Sequence, residues 1–340
     1  MKRILVAGGG LIGSRHVDAV LKHPACALVG LVDPDPKIAG PPAVKRFTHL
    51  SDVEETVDGV ILATPTHLHA EQGTFSAHRG WHLLIEKPVT SDEISARSLT
   101  MTVARSGVGS LVGHHRRYHA CVQQLRQLIQ DGAIGTPVTA SLIWAMRKPD
   151  AYFQGNWRTA GGSPVMINLV HDIDLLRFVL GEVVAVSALR GVGLRGADRI
   201  ESGAVAIAFD SGATGTISFA DTAPSPWGFE AGTGENPNIG TSGQDMLWIT
   251  GTTGAISFPS MTPWQGTEWS KPARQTTLDK VVNEKAPLDA QLDHFVEVMD
   301  GAKPLIDIAD ATRTLEVALD IEAQLQAQTT GATRVRSAIA

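Results

Sequence analysis

Arg3-Ile4-Leu5-Val6-Ala7-Gly8-Gly9-Gly10-Leu11-Ile12-Gly13 stands near the start of this 340-residue chain. Five residues with an apolar core run into three glycines, and residues 11–22 then repeat apolar side chains at three- and four-residue spacing. That order reads as strand, tight turn, helix. The glycines fit G-x-G-x-x-G, in which Gly8 permits the turn, Gly10 lets backbone approach a pyrophosphate and Gly13 lets helix and strand pack closely. The helix start at Leu11 and Ile12 would offer unpaired N–H groups and positive dipole to the anion. Asp33 lies 20 residues beyond Gly13 (33 − 13), at the end of the next strand candidate. Its carboxylate would accept from ribose 2′- and 3′-hydroxyls and repel a 2′-phosphate, so NAD is expected, with NADP as the second candidate.

Working outward, strand candidates at 3–7, 27–33, 59–63, 81–85 and 110–113 alternate with helical patterns at 11–22, 67–78 and 91–105. Short strands joined by helices predict a parallel sheet. A helix over 120–130 follows. The texture then changes to strands at 136–147, 183–190, 204–209, 213–219, 246–250 and 255–258 with short turns, which predicts a mostly antiparallel sheet. One helix, 164–180, is set among them, with Ser163 as cap, Pro164 in its first turn and Gly181 at its end. Two more helices, 289–299 and 309–327, come last. The chain is therefore expected to be α/β in two domains, residues 1–120 and residues 121–340, the first binding the dinucleotide. The family resemblance given below implies that the second binds substrate and partner subunits.

Composition narrows the classes. Hydrophobic residues make 43% of the chain and charged residues 19%, which suits a folded core and not a disordered chain. With 29 basic and 35 acidic side chains the net charge is −6, and no long basic block is present, so nucleic acid is not the expected partner. No apolar run approaches the roughly 20 residues that span a bilayer, and the four-residue run 4–7 is too short for a signal peptide, so membrane attachment is not expected. Two cysteines with no CxxC pair suit a reducing, cytoplasmic setting. His67 and His69 are two apart, and His114 and His115 are adjacent; neither is the i, i+4 metal spacing, and no metal is expected.

Ile85-Glu86-Lys87-Pro88 ends the fourth strand of the first domain. Open parallel sheets bind ligands at the carboxyl ends of their strands, so Glu86 and Lys87 are expected at the cofactor crevice. Asn168 and His171, three apart on the capped helix, would share one face. A histidine and a lysine are what alcohol oxidation needs: one group takes the hydroxyl proton while hydride leaves carbon.

Together, the glycine turn, Glu86-Lys87-Pro88 and the segment from Gly161-Gly162 to His171-Asp172-Ile173-Asp174 resemble the glucose–fructose oxidoreductase/inositol dehydrogenase (Gfo/Idh/MocA) family over essentially the whole chain. The resemblance implies an N-terminal Rossmann domain, a C-terminal α/β domain with a large, mostly antiparallel sheet, and a homodimer or homotetramer acting on a sugar, polyol or sugar acid. It implies Lys87 beside the nicotinamide and the reacting oxygen, His171 as the catalytic histidine, and the loop Thr64-Pro65-Thr66-His67 along the dinucleotide. Many polyol-oxidising members carry aspartate four residues before the histidine; here that position is Ile167, with Asn168 one residue later, and an amide cannot act as a base. Residues 113–118 resemble a family segment at the pocket, which makes Arg116 and Tyr118 substrate-binding candidates. Trp157-Arg158 reads as a substrate wall with an anion or hydroxyl ligand, and the aperiodic stretch 221–243 as a lid or subunit contact. The expected activity is hydride transfer between nicotinamide and a secondary alcohol. Its rivals are a reductase of a carbonyl, imine or conjugated double bond, and a non-catalytic regulator sensing the dinucleotide.

Overall fold

The computed structural model describes the chain apart from residues 39, 43, 154–162, 196–198, 267, 280 and 329–340. Two compact units emerge. Met1–His119 and Asn283–Glu316 form the first, and Ala120–Val282 with the residues after Val317 form the second. The single boundary expected near 120 marks only the first crossing. Residues 283–316 return to the first unit because their apolar side chains close its core: Phe295 and Met299 lie 3.0 Å and 2.8 Å from where a Cβ on Gly59 would stand.

The first unit is a six-stranded parallel sheet in the order β3-β2-β1-β4-β5-β6. Its strands are β1 (Lys2–Ala7), β2 (Cys26–Val32), β3 (Arg46–Phe47), β4 (Gly59–Leu62), β5 (His82–Ile85) and β6 (Ser110–Val112). Helices α1 (Leu11–Lys22), α2 (His69–His78) and α3 (Glu93–Ser106) make the crossovers. Ile4, Leu5, Val6 and Ala7 are fully buried, as continuous apolar runs are when helices cover both faces of a parallel sheet. Asp92 caps α3 by accepting from Ser95 N, and Gly107 ends it at φ +67°. The two-residue strand β3 is absent from the sequence expectation, since so short an element carries no periodicity.

In the second unit, α4 (Ala120–Gln130) precedes β7 (Pro137–Ala145), and α5 (Val170–Leu180) precedes β8 (Val183–Arg190), β9 (Ser202–Phe209) and β10 (Thr214–Ala220). A short helix α6 (Phe229–Thr233), β11 (Leu247–Gly251), β12 (Gly254–Phe258), β13 (Thr262–Gln265) and β14 (Arg274–Gln275) follow. The remaining helices are α7 (Pro287–Met299) in the first unit and α8 (Ile308–Ala327), along which the chain crosses back to the second. The eight strands run β14-β13-β12-β11-β7-β10-β9-β8, antiparallel except for the parallel pair β7–β10. On β10, Gly215, Ile217 and Phe219 are buried while Thr214, Thr216 and Ser218 are exposed, so this sheet covers its core with one face.

One expectation is revised and two segments gain detail. The helix over 164–180 is divided: Val165–Leu169 winds as a π-helical turn before α5 begins. Ser163 still caps it, Oγ accepting from Met166 N at 3.3 Å, and Gly181 still ends it at φ +107°. The wider winding shifts Asn168 from a simple i, i+3 alignment with His171. Residues 221–243, expected as a lid or subunit contact, contain the short helix α6 and are tied locally to the second unit. Phe229 is fully buried, Ser225 Oγ donates to Ala145 O, and Ser242 Oγ donates to Pro226 O. Lastly, β13 and β14 extend the sheet where their exposed, proline-bearing sequence gave little strand signal.

The outer edge of β8 is closed by side chains. Gln324 Oε1 accepts from Ala188 N (2.9 Å) and its Nε2 donates to Val186 O (3.2 Å). Gln328 Nε2 donates to Ala188 O (2.7 Å) and its Oε1 accepts from Arg190 N (2.9 Å). Four helical residues rise about 6 Å and two strand residues about 6.6 Å, so glutamines one turn apart meet the strand's repeat. They act as a substitute neighbouring strand, which blunts an edge open to intermolecular pairing. Replacing both by Ala is expected to lower unfolding stability by about 2 kcal/mol and to speed aggregation on heating, read by urea titration and light scattering. Unchanged aggregation would show the edge to be covered otherwise.

Candidate active site

The glycine turn divides its duties as its spacing requires. Gly8 has φ +92°, and a Cβ there would stand 2.4 Å from Ala63 O. A Cβ on Gly13 would be 1.8 Å from Gly8 O, so helix and turn touch through backbone alone. Gly10 differs: nothing lies within 4 Å of its Cβ position. It caps α1 with no side-chain bond, and the first turn of α1 carries no acidic residue. The N–H groups of Leu11, Ile12 and Gly13 therefore have no acidic side chain from their own turn beside them, which is the arrangement a pyrophosphate fits. The Asp33 carboxylate reaches across to this turn, Oδ2 accepting from Gly9 N (2.7 Å) and Oδ1 from Asp35 N (2.9 Å). Gly9, to which the sequence assigned nothing, is required as well, because a Cβ there would lie 2.2 Å from Ile38 Cγ2.

After β4 the chain makes a tight loop. Thr64 Oγ1 donates to Gln72 Oε1 (2.6 Å), Leu68 N donates to Pro65 O (2.9 Å), and His67 stands exposed in a 3-10 turn. His69, set aside in the sequence reading, proves to join this loop to the next. It is 1% exposed, with Nε2 2.9 Å from Thr64 O and Nδ1 3.0 Å from Pro88 O. Burial pulls its pKa down against the pull of the two carbonyls. No periodicity signals such a bridge, since its partners are backbone atoms of two separate loops.

From Leu83 to Thr90 every residue is buried except Lys87, which is half-exposed at the end of β5. The Lys87–Pro88 peptide is cis. Glu86, expected along the cofactor, is turned inward at 6% exposure: Oε1 meets His16 Nε2 at 2.8 Å and Oε2 accepts from Lys87 N at 3.2 Å. Gly113 leaves it room, since a Cβ there would come within 3.0 Å of that carboxyl. Burial alone would raise the Glu86 pKa. The His16 hydrogen bond and the positive charges of His16, His115 and Lys87 outweigh it, bringing the carboxyl down to about 2.

A carboxyl depressed in the folded state stabilises the fold above its free value, here 4.5, and that contribution is lost as pH falls toward 2. Glu86→Gln is therefore expected to shrink the difference in urea midpoint between pH 7 and pH 3. An unchanged difference would show the Glu86 charge to be uncoupled from folding.

Two of the substrate candidates, Arg116 and Tyr118, lie in the first unit. Arg116 is 2% exposed. Tyr118 Oη lies 2.8 Å from His294 Nδ1, and burial pushes its phenol pKa up. Arg117 pairs with Asp310 (2.7 Å) and donates to Leu305 O. Arg117 and Tyr118 thus fasten the returning segment 283–316, a role that a reading of adjacent residues could not reveal.

In the second unit His171, 7% exposed, is the second residue of α5, and Asn168 sits on the π-helical turn before it. Lys148 Nζ donates to Asn168 Oδ1, a contact the sequence gave no sign of. Asp174, 1% exposed, faces Arg177 at 3.9 Å, and Arg177 pairs with Glu182 at 2.7 Å, so these charges lock the end of the helix. Glu322, raised in pKa by burial, bonds Ser163 at the start of the same segment. Trp157 and Arg158 lie outside the described residues.

Comparison with known proteins accords with this arrangement. Residues 2–114 match the profile of an oxidoreductase family with an NAD-binding Rossmann fold, and residues 122–257 match the GFO/IDH/MocA C-terminal domain. The chain is 35% identical over 199 residues to 1,5-anhydro-D-fructose reductase of Ensifer adhaerens, a match covering 54% of this chain and 57% of that protein. It is 26% identical over 345 residues to scyllo-inositol 2-dehydrogenase (NAD(+)) of Bacillus subtilis, covering 93% and 92%. In fold it is similar to the WlbA dehydrogenase from Bordetella pertussis, solved with NADH and UDP-GlcNAcA: TM-score 0.75, 22% identity, 96% and 97% of the two chains covered. Among the described residues no helix is long and apolar enough to cross a membrane. Two profiles of one family, matched in succession over residues 2–114 and 122–257, place this chain in the Gfo/Idh/MocA family of NAD-binding oxidoreductases.

Proposed function

We propose that this protein transfers hydride reversibly between NAD and a secondary alcohol carbon of a sugar, inositol or related polyhydroxylated compound. The observation that carries the reading is Lys87, the one half-exposed side chain in an otherwise buried run, set at the carboxyl end of a strand in the dinucleotide-binding sheet. The bound dinucleotide supplies or accepts the hydride. In this reading His171 takes the hydroxyl proton on its imidazole, whose ordinary pKa suits neutral pH. The Lys87 ammonium stabilises the charge growing on the substrate oxygen. Asn168 orients a neighbouring hydroxyl; it stands close to where Ile167 replaces the acidic residue common in polyol-oxidising members.

The name of the B. subtilis relative favours the oxidative direction, and that of the E. adhaerens relative favours reduction of a ketone by the same residues. Absorbance at the NADH band separates them. The enzyme is supplied with NAD or NADP and a panel of sugars, inositols, deoxy-sugars and sugar acids, then with NADH and the matching ketones. Signal with NAD and an alcohol supports the proposal, and signal only with NADH and a ketone favours the reductase. Silence in both directions with NADH still bound would leave a dinucleotide-sensing regulator. The same reading includes a homodimer or homotetramer working in the cytoplasm, the assembly being measurable by light scattering.

A further inference from the structure

Glu86 and His16 make a costly pair to bury. Both belong to the first unit, Glu86 at 6% exposure and His16 at 1%. Glu86 is ionised, so its oxygens only accept, and His16 Nε2 is the donor across the 2.8 Å to Oε1. The other ring nitrogen of His16, Nδ1, is buried with no hydrogen-bond partner among the described residues. A buried carboxylate and an unpaired ring nitrogen both cost free energy, and Leu or Met would fill the space of His16 without it.

What the pair achieves is at the second carboxylate oxygen. Glu86 Oε2 accepts from Lys87 N at 3.2 Å. Because Oε1 is held by His16, the carboxylate cannot turn, and Oε2 keeps its place against the Lys87 N–H. Gly113 borders the same oxygen, since a Cβ there would stand 3.0 Å from it. On the far side of the Lys87–Pro88 peptide, Pro88 O lies 3.0 Å from His69 Nδ1. His16 also lies on α1, three residues after Gly13, and the first N–H groups of α1 suit a pyrophosphate. Two hydrogen bonds in series therefore join the helix that would hold the cofactor to the backbone of Lys87.

We propose that His16 is a positioning residue: acting through the Glu86 carboxylate, it fixes the Lys87 backbone relative to the dinucleotide-binding helix and so aims the Lys87 ammonium at the reacting oxygen. The effect on chemistry rests on Lys87 acting as proposed above; the fixing of its backbone does not.

The variants are made in the full chain. His16→Leu removes the bond to Glu86 at similar volume, and His16→Gln returns an N–H donor near the place of Nε2. His16→Leu leaves a buried carboxylate without its partner, so His16→Leu/Glu86→Gln is made beside it. There Gln is neutral, and its oxygen can still accept from the Lys87 N–H.

Hydrogen exchange resolved to single amides reads the backbone without turnover. In His16→Leu and the double variant the Lys87 amide is expected to lose about tenfold in protection, while Leu83, Leu84 and Ile85 keep theirs. His16→Gln should recover most of the loss. Unchanged protection at Lys87 in both leucine variants would overturn the proposal. Equal losses along β5 would overturn it too, by making His16 a general support of the fold.

Kinetics use the alcohol of the panel above that gives the strongest signal with NAD. His16→Leu should lower kcat by about 10- to 100-fold with KM and NADH affinity within about threefold, the mark of a misplaced group. In a Lys87→Ala background the same change should cost less than about twofold more, because it acts only through that side chain. Losses that multiply in that background would reject action through Lys87. Lys87 protection that depends on His16, in a protein whose turnover does not need Lys87, would keep the fixed backbone and reject the catalytic reading.

Discussion

Replacing Lys87 with Ala is expected to lower turnover by about 10³-fold while NADH affinity changes by less than about threefold. The size follows from the role proposed for the ammonium, which stabilises charge that exists only as the alcohol becomes a carbonyl; such a group affects the transition state far more than the ground state. The fold should tolerate the change. Lys87 is half-exposed while its neighbours Glu86 and Pro88 are buried, and its backbone N–H bond to Glu86 Oε2 is preserved by Ala. Steady-state kinetics on the best substrate, with NADH fluorescence titration and near-UV circular dichroism run alongside, checks all three quantities. Turnover within tenfold of wild type would remove Lys87 from the chemistry. A loss of NADH binding equal to the loss of turnover would make it a cofactor ligand instead.

A second large effect is expected from alanine at two glycines of one turn, for opposite reasons. Gly10→Ala adds a methyl where no protein atom lies within 4 Å, so thermal stability should stay within about 0.5 kcal/mol of wild type. The same methyl would intrude where the pyrophosphate approaches, and NADH affinity should fall at least about 30-fold, near 2 kcal/mol. Gly13→Ala places its methyl 1.8 Å from Gly8 O, a backbone atom that cannot turn aside. That variant should lose NADH binding entirely together with several kcal/mol of stability, because α1 must move away from the turn. Differential scanning fluorimetry with and without NADH reads both. If Gly10→Ala bound NADH normally, the open space above the turn would not be the pyrophosphate site.

The boundaries of several elements follow from local pattern alone. Residues 11–22, 120–130 and 183–190 are bounded in the structure as their periodicity indicates. Apolar spacing, a glycine at φ +107° after Leu180 and a capping Asp92 act within one or two turns of chain, so their signals are contiguous in sequence. The nucleotide turn belongs to this class: strand, glycines, helix and Asp33 lie within 33 residues, and each has its own steric or electrostatic reason.

Other features depend on residues that meet only after folding. His69 between Thr64 O and Pro88 O, Tyr118 against His294, and the two glutamines on the edge of β8 join positions 5 to 176 residues apart. For Glu86 and Tyr118 a sequence shows that the side chain is polar, but not that His16 and His294 are its partners. Lys148 carried no mark at all until the chain placed it between Trp144 and Tyr152 and against Asn168. The family and its cofactor were thus legible from short-range pattern, since turn geometry and dipole are local properties. The inward turn of Glu86 and the contact of Lys148 with Asn168 came only from tertiary structure, because burial and partner choice are set by the whole packed unit.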